Sequence, residues 1–147
     1  MNKDIKFSVT IPAFKDKYLK ETIDSVLAQT YPNYEVVIVN DASPYDLDSI
    51  VCQYDDSRIR YFKNEKNCGA KDVVDNWNIC LSHAIGEFVM CIGDDDKLTP
   101  RCLQDFAELI ENIPNWICIM PEAKSLMMIP ISSVCLRSVL NGNLFIL

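Results

Sequence analysis

Short apolar runs alternate along the 147-residue chain with segments whose apolar residues recur at helical spacing. The first run is β-branched and ends at Pro12, and residues 35–39 (EVVIV) are continuously apolar, as in a strand buried on both faces. Strands are predicted over residues 7–11, 35–39, 58–62, 87–92 and 116–120, and helices over residues 19–27, 47–54, 71–84 and 101–111. This alternation predicts an α/β fold, with a mostly parallel sheet and helices on both faces.

Composition and charge narrow the class of protein. The hydrophobic fraction of 49% indicates a folded chain, and the net charge of −7, without a Lys or Arg cluster, argues against binding nucleic acid or an anionic membrane surface. The seven cysteines follow no zinc-ribbon spacing, and their odd number argues against a disulfide scaffold. With no signal-peptide pattern and no apolar stretch long enough to span a bilayer, we expect a cytoplasmic protein, with peripheral association with a membrane left open.

Polar residues collect where the predicted strands end. Residues 12–14, 40–43, 63–69 and 94–96 each follow one of the first four strands. In an open α/β sheet the carboxyl ends of parallel strands lie at one edge, and ligands bind in the crevice beyond that edge. The four segments are therefore predicted to form one site.

Three adjacent carboxylates, Asp94, Asp95 and Asp96, carry the strongest chemical signal in that site. They repel one another, and Mg²⁺ or Mn²⁺ would relieve that repulsion while sharing its remaining positions with substrate phosphates. The alternative is a solvated acidic turn that helps to cap the helix beginning near Pro100.

Two further loop segments have both a binding and a purely structural interpretation. Asp41 follows the second strand and could accept a hydrogen bond from a base or a ribose, or it could form an Asx turn or a helix cap. Gly69, which follows Asn67 and Cys68, would let the backbone approach a ligand, or it could belong to an ordinary turn. Neither a GxGxxG motif nor a P-loop motif is present, so the standard dinucleotide and P-loop interpretations lack support.

Four stretches of the chain, in order and with their spacing intact, resemble the family 2 glycosyltransferases, which have the Rossmann-like GT-A fold. They are FSVTIPAFK (7–15), LKETIDSVLAQTYPNYEVVIVNDAS (19–43), DDSRIRYFKNEKNCGA (55–70) and GEFVMCIGDDDKLTP (86–100). The resemblance implies an enzyme of polysaccharide biosynthesis that transfers a sugar from a nucleotide-diphospho-sugar, usually with inversion at the anomeric carbon. It also implies a DxD-type motif, a UDP-linked donor, Mg²⁺ or Mn²⁺ as cofactor, and an unknown sugar, lipid-linked or protein acceptor.

The resemblance also assigns roles to individual residues. Residues at all four strand ends would bind the nucleotide-sugar: Pro12, Ala13, Phe14, Asp41, Asn67, Gly69, Asp94 and Asp95. The first three would line the pocket for the base, and Asp41 would hydrogen-bond the base, typically uracil. Asp94 and Asp95 would contact the ribose and the metal-bound diphosphate, and Asp95 and Asp96 would hold the metal ion.

The chain departs from the family pattern at several positions. Lys15 stands where the family usually has Asn, Asn40 where it usually has Asp, and residues 73–78 lack the arginine often found near the diphosphate. An inverting transferase also needs a general base, which in the family comes from an acceptor-binding half. Four carboxylates follow residue 96, and none has the expected context: Asp105, Glu108, Glu111 and Glu122. The catalytic base is therefore unassigned.

These observations predict two regions. Residues 1–112 would form the donor-binding part of a GT-A domain, and the apolar residues 113–147 a truncated or divergent acceptor part, which leaves the fold incomplete at its C-terminus. The apolar segment would need a protein partner or self-association to cover it. Two alternatives to an active transferase stay open: a non-catalytic nucleotide-binding fragment completed by a partner, and a metal-dependent phosphohydrolase or nucleotidyltransferase.

Overall fold

A computed structural model of the chain describes residues 4–68, 73–112 and 127–130. Its strands are β1 (Phe7–Ala13), β2 (Tyr34–Asn40), β3 (Ile59–Lys63), β4 (Phe88–Cys91) and β5 (Met127–Pro130). The helices are α1 (Leu19–Leu27), α2 (Leu47–Val51), α3 (Val73–His83) and α4 (Cys102–Asn112). The strands form one sheet in the order β3-β2-β1-β4-β5, in which β1 to β4 are parallel and β5 pairs antiparallel with β4.

The parallel α/β fold predicted from the sequence is confirmed. The first four predicted strands and all four predicted helices are present, with bounds that differ by at most three residues. The fifth strand is different: residues 116–120 lie outside the described residues, and β5 falls instead in an apolar stretch in which no strand was predicted. Periodicity alone does not distinguish a strand from a buried helix segment within an apolar stretch, and pairing along β4 is what makes residues 127–130 a strand.

Pro12 divides the pairing of β1 at the carboxyl edge of the sheet. On the β4 side the ladder ends at Thr10, whose carbonyl accepts the N–H of Ile92 at 3.0 Å. The next donor on that side would be the N–H that proline lacks. On the β2 side pairing continues to Ala13 opposite Asn40. The sheet therefore opens between β1 and β4.

Apolar side chains cover both faces of the sheet. The larger core packs α1, α2 and α4 on one face, and its fully buried helix residues are Leu19, Ile23, Val26, Leu47 and Leu103. On the other face, Cys80 of α3 packs with Val37 and Val39. Every residue of β2 is buried, as its continuous apolar pattern predicted. No helix in the described part of the chain is long and apolar enough to cross a membrane.

A buried glutamate joins three strands at the amino edge of the sheet. Glu35 of β2, only 4% exposed, accepts hydrogen bonds from the Ser8 hydroxyl, from Nη1 of Arg60 at 2.8 Å and from the N–H of Ile85 at 2.7 Å. Burial by itself would raise the pKa of Glu35, but these hydrogen bonds outweigh it and hold the pKa below the ordinary value of 4.5. The network fixes the turn that leads into β4.

We expect Glu35→Gln to lower the free energy of unfolding by about 1–3 kcal/mol at neutral pH, because the amide cannot accept from all three donors. The folded-state pKa is depressed, so the carboxylate's contribution is present above pH 4.5 and is lost as pH falls through the folded-state pKa. Denaturant unfolding at about pH 7 and about pH 3 should show the difference between variant and wild type narrowing in acid. The exposed Glu65→Gln should match wild type at both pH values, and a pH-independent loss at Glu35 would contradict the prediction.

Candidate functional site

Asp94 bridges the opening between β1 and β4. Its Oδ2 atom accepts the backbone N–H groups of Phe14, at 2.8 Å, and of Lys15, at 2.6 Å. The residue is only 7% exposed, so its charge depends on these amides for solvation. The bridge places the residues that follow β1 directly beside the acidic segment 94–96.

Asp41 is held at the end of β2 by the loop that follows β3. Its N–H donates to the carbonyl of Ala13 at 2.9 Å, and its own carbonyl accepts Nδ2 of Asn67 at 2.8 Å. Oδ1 accepts Nδ2 of Asn64 at 2.9 Å and the N–H of Cys68 at 3.0 Å, whereas Oδ2, among the described residues, shares only that last N–H, at 3.2 Å. Oδ2 is therefore the oxygen with capacity left for a ligand donor.

The residues after β1 differ in what they offer to a ligand. Phe14 is 39% exposed at the rim of the site, and the hydroxyl of Ser43 donates to its carbonyl. Pro12 is half-buried. Ala13 is fully buried, so its side chain is not accessible to a ligand, and its contribution to the site is the carbonyl that accepts the N–H of Asp41. The ring of Phe14 is thus the apolar surface that a flat ligand ring could contact.

Asp95 and Asp96 differ in how far their carboxylates are already engaged. Oδ2 of Asp96 accepts the N–H of Gly93 at 2.8 Å, whereas Asp95 has a side chain 49% exposed whose Oδ2 lies 3.5 Å from Nζ of Lys15. Within the described residues, no group of three or more His, Cys, Asp or Glu side chains is arranged to hold a metal ion. A Mg²⁺ or Mn²⁺ ion that shares its positions with phosphate and water needs only one or two carboxylates, and this pair fits that requirement.

Comparison with known proteins identifies the domain. Residues 8–124 match the sequence model of Glycosyl transferase family 2. The chain belongs to this family. EpsE of Bacillus subtilis (strain 168) is 33% identical over 115 residues, which are 76% of this chain and 40% of EpsE. The poly(ribitol-phosphate) beta-N-acetylglucosaminyltransferase TarS of Staphylococcus aureus is 32% identical over 111 residues, which are 73% of this chain and 19% of TarS. The chain therefore spans less than half the length of these curated relatives.

Solved structures of glycosyltransferases confirm the GT-A fold. The crystal structure of S. aureus TarS 1–349 in complex with UDP-GlcNAc aligns with a TM-score of 0.68 and 32% identity, over 74% of this chain and 32% of that one. The mannosyltransferase PcManGT from Pyrobaculum calidifontis, in complex with GDP-Man and Mn²⁺, aligns with a TM-score of 0.67 over 84% of this chain and 44% of that one. Its identity is 19%, so this second likeness supports the fold alone.

Within this family 2 domain, most of the sequence-predicted site residues meet at one edge of the sheet. Gly69 lies outside the described residues. The carboxylate of Asp41 does not cap the turn that follows it; there the side-chain acceptor is Asn40, whose Oδ1 accepts the N–H of Ser43, three residues on, at 2.9 Å. Sequence reasoning also did not single out Asn64, because its bond to Asp41 depends on how two distant loops fold together. The one signal in the sequence that pointed to Asn64 was its position in the segment 63–69, which follows a predicted strand.

We expect Asp94→Ala to lower the free energy of unfolding by about 1–3 kcal/mol, because two backbone N–H groups lose their acceptor. The amides of Phe14 and Lys15 should also exchange their hydrogens faster, which NMR would detect. The matched control is Asp95→Ala, which removes a more exposed carboxylate and should change stability by less than about 0.5 kcal/mol. Unchanged exchange at both amides would show that the bridge is not a stabilising contact.

Proposed function

We propose that this chain binds a UDP-linked sugar at the carboxyl edge between β1 and β4, as the donor-binding part of an inverting, metal-assisted glycosyltransferase. The observation that carries the proposal is a pair of buried aspartates tied to consecutive residues: the N–H of Asp41 donates to the carbonyl of Ala13, and the carboxylate of Asp94 accepts the N–H groups of Phe14 and Lys15. Family membership supports the reaction class, and the UDP-GlcNAc complex of TarS, at 32% identity, supports the donor class. A sugar, a lipid-linked carrier or a protein would be the acceptor.

Uracil has the hydrogen-bonding pattern that suits the Asp41 end of the site. Its N3–H donor lies between two carbonyl acceptors, and Oδ2 of Asp41 is an acceptor with remaining capacity. Asn67 gives one hydrogen of its amide to the carbonyl of Asp41, and the second can reach a carbonyl of the base. The exposed ring of Phe14 provides a stacking surface.

The other end of the site suits ribose and diphosphate. Asp94 uses Oδ2 for the two backbone amides, which leaves Oδ1 to accept a ribose hydroxyl. Asp95 and Asp96 would hold Mg²⁺ or Mn²⁺, which supplies positive charge beside the leaving diphosphate. Lys15 brings an ammonium group to the same place. Asp105 and Glu108 pair with Arg101 on an exposed face, and we assign the general base to neither.

Replacing Asp41 by Asn tests the base assignment. The amide can still accept from Asn64 and Cys68 through its oxygen, but it presents N–H where Oδ2 stood. We expect calorimetric titration to show UDP binding weakened about tenfold. CDP should be weakened less, because N3 of cytosine is an acceptor that the new N–H can meet. An equal loss of affinity for UDP and CDP, or no loss for either, would contradict the role of Asp41. Titrations of wild type with GDP and ADP test whether another base is preferred.

Replacing Asp95 by Ala tests the metal assignment. We expect UDP binding in the presence of Mn²⁺ to weaken at least about tenfold, or 1.4 kcal/mol, while binding without Mn²⁺ changes little. Asp55→Ala, which removes an exposed carboxylate just before β3, serves as the charge-matched control. Equal UDP affinity for variant and wild type in Mn²⁺ would mean that Asp95 is not a ligand. Hydrolysis of a simple phosphate ester without any nucleotide preference would favour a phosphohydrolase instead.

A further inference from the structure

Asn40, the last residue of β2, connects the separate parts of the candidate site. It is 1% exposed, and both ends of its side-chain amide are used: Oδ1 accepts the N–H of Ser43 at 2.9 Å, and Nδ2 donates to the hydroxyl of Tyr61 at 2.8 Å. Its main-chain carbonyl accepts the N–H of Asn64 at 2.9 Å. Asn64 in turn holds the carboxylate of Asp41. One buried residue thus contacts both loops that surround Asp41.

The turn that Asn40 spans is conformationally demanding. Ala42 has φ of 47°, in the left-handed region that favours glycine and that a side chain with a Cβ atom resists. The hydrogen bond from the Ser43 N–H to Oδ1 of Asn40 closes the turn around this residue. Ser43 then donates its hydroxyl to the carbonyl of Phe14. Loss of the Asn40 contact would therefore release the turn and weaken one of the two contacts that hold the Phe14 backbone, the other being its N–H bond to Asp94.

The neighbours of Asn40 require a side chain that both donates and accepts. The single hydrogen of the Tyr61 hydroxyl is given to Asp48, whose other oxygen lies 2.8 Å from Nζ of Lys63. Burial and the bond to Asp48 raise the pKa of Tyr61 to about 12, so the hydroxyl keeps its proton at neutral pH. Tyr61 can thus only accept from residue 40, while the Ser43 N–H can only donate to it. Asn satisfies both, and an ionised Asp satisfies one.

We propose that Asn40 is a positioning residue for nucleotide binding, which fixes the 41–43 turn so that the carboxylate of Asp41 meets the base. The inference rests on the proposed function, because it places the base at Asp41. Asn40 itself does not touch the ligand, since it is buried beneath the turn. Its amide donates to the Tyr61 hydroxyl, which leaves the hydrogen of that hydroxyl directed at Asp48.

The decisive variant is Asn40→Asp, because its carboxyl group can act as a donor only when protonated. It would face Tyr61 and Lys63 from β3, Asp48 from α2 and the N–H of Ser43 in the turn, while β1 presents Ala13, which does not titrate. Burial and the neighbouring carboxylate of Asp48 would raise the pKa of the new carboxyl group, and Lys63, which is already paired with Asp48, would offset only part of that rise. In acid the variant should therefore regain the donor for Tyr61.

We expect calorimetry with UDP and Mn²⁺ to show Asn40→Asp binding about tenfold more weakly than wild type at about pH 7.5, with the gap closing to about twofold at about pH 5.5. Measuring wild type at both values removes any pH dependence of binding that the two proteins share. Asn33→Asp, before the opposite end of β2, makes the same chemical change and should bind as wild type does. Equal affinity of the Asn40 variant and wild type at both values, or a gap that pH does not change, would overturn the proposal.

A second pair of variants provides a rescue. Asn40→Ala should weaken UDP binding at both pH values, and adding Ala42→Gly should restore part of it, about threefold, because glycine adopts the left-handed turn without its partner. No recovery would count against the turn as the route by which Asn40 acts.

Hydrogen exchange separates the two proposals. In nucleotide-free protein, the Ser43 amide should exchange at least about tenfold faster in Asn40→Ala than in wild type, and equal protection would overturn the role of Asn40. Wild type that fails to bind UDP would overturn the proposed function, and the exchange rates would still decide whether Asn40 holds the turn. If wild type and the Asn40→Asp variant bind UDP equally well, the proposed nucleotide site would be supported. The positioning role of Asn40 would be contradicted.

Discussion

Pro12 has no N–H to give to β4, whereas Ile11 and Ala13 on either side of it continue to pair with β2. Because of this one missing donor, β1 is hydrogen-bonded to both β2 and β4 along most of its length but only to β2 at its carboxyl end. The opening lies where the strand order reverses, since β2 and β3 extend the sheet in one direction from β1 and β4 in the other. Open α/β sheets bind ligands at this position, and here the covalent structure of proline determines where the opening begins.

Buried carboxylates hold both edges of the sheet together, but they are compensated differently. At the amino edge, Glu35 has the guanidinium of Arg60 at 2.8 Å as well as two neutral donors. At the carboxyl edge, the donors described for Asp41 and Asp94 are backbone and side-chain amides. Amides satisfy the oxygen lone pairs but leave the negative charge in place. The ion pair of Glu35 therefore suits a purely structural contact, whereas the amide-bonded carboxylates of Asp41 and Asp94 keep acceptor capacity that a ligand can use.

Local pattern was sufficient for most of the fold and for predicting that the candidate site residues lie together at the carboxyl edge of the sheet. The β-branched runs and the helical spacing identified four strands and four helices, because both periods were unambiguous. The strand 127–130 was missed, since it is defined by pairing with β4 rather than by its own residues. The site residues followed from the rule that parallel strands end at one edge. What no local pattern contained was the coupling of Asn40 to Tyr61 and Ser43, which depends on contacts between three elements.

The charge that remains at the carboxyl edge also limits what can bind there. Two buried carboxylates and the neighbouring pair Asp95 and Asp96 attract donors, such as the N–H of a base and the hydroxyls of a ribose, but repel a bare diphosphate. A diphosphate therefore needs a cation between it and these side chains. Lys15 already lies 3.5 Å from Asp95 and supplies one charge, at a position that is well exposed and hence strongly screened. A divalent ion held between Asp95 and the phosphates would be screened less, because the ligand itself would exclude water from the pair. In the proposed donor complex, the same electrostatics that attract a nucleoside to this edge would therefore favour a nucleotide that binds together with a metal ion.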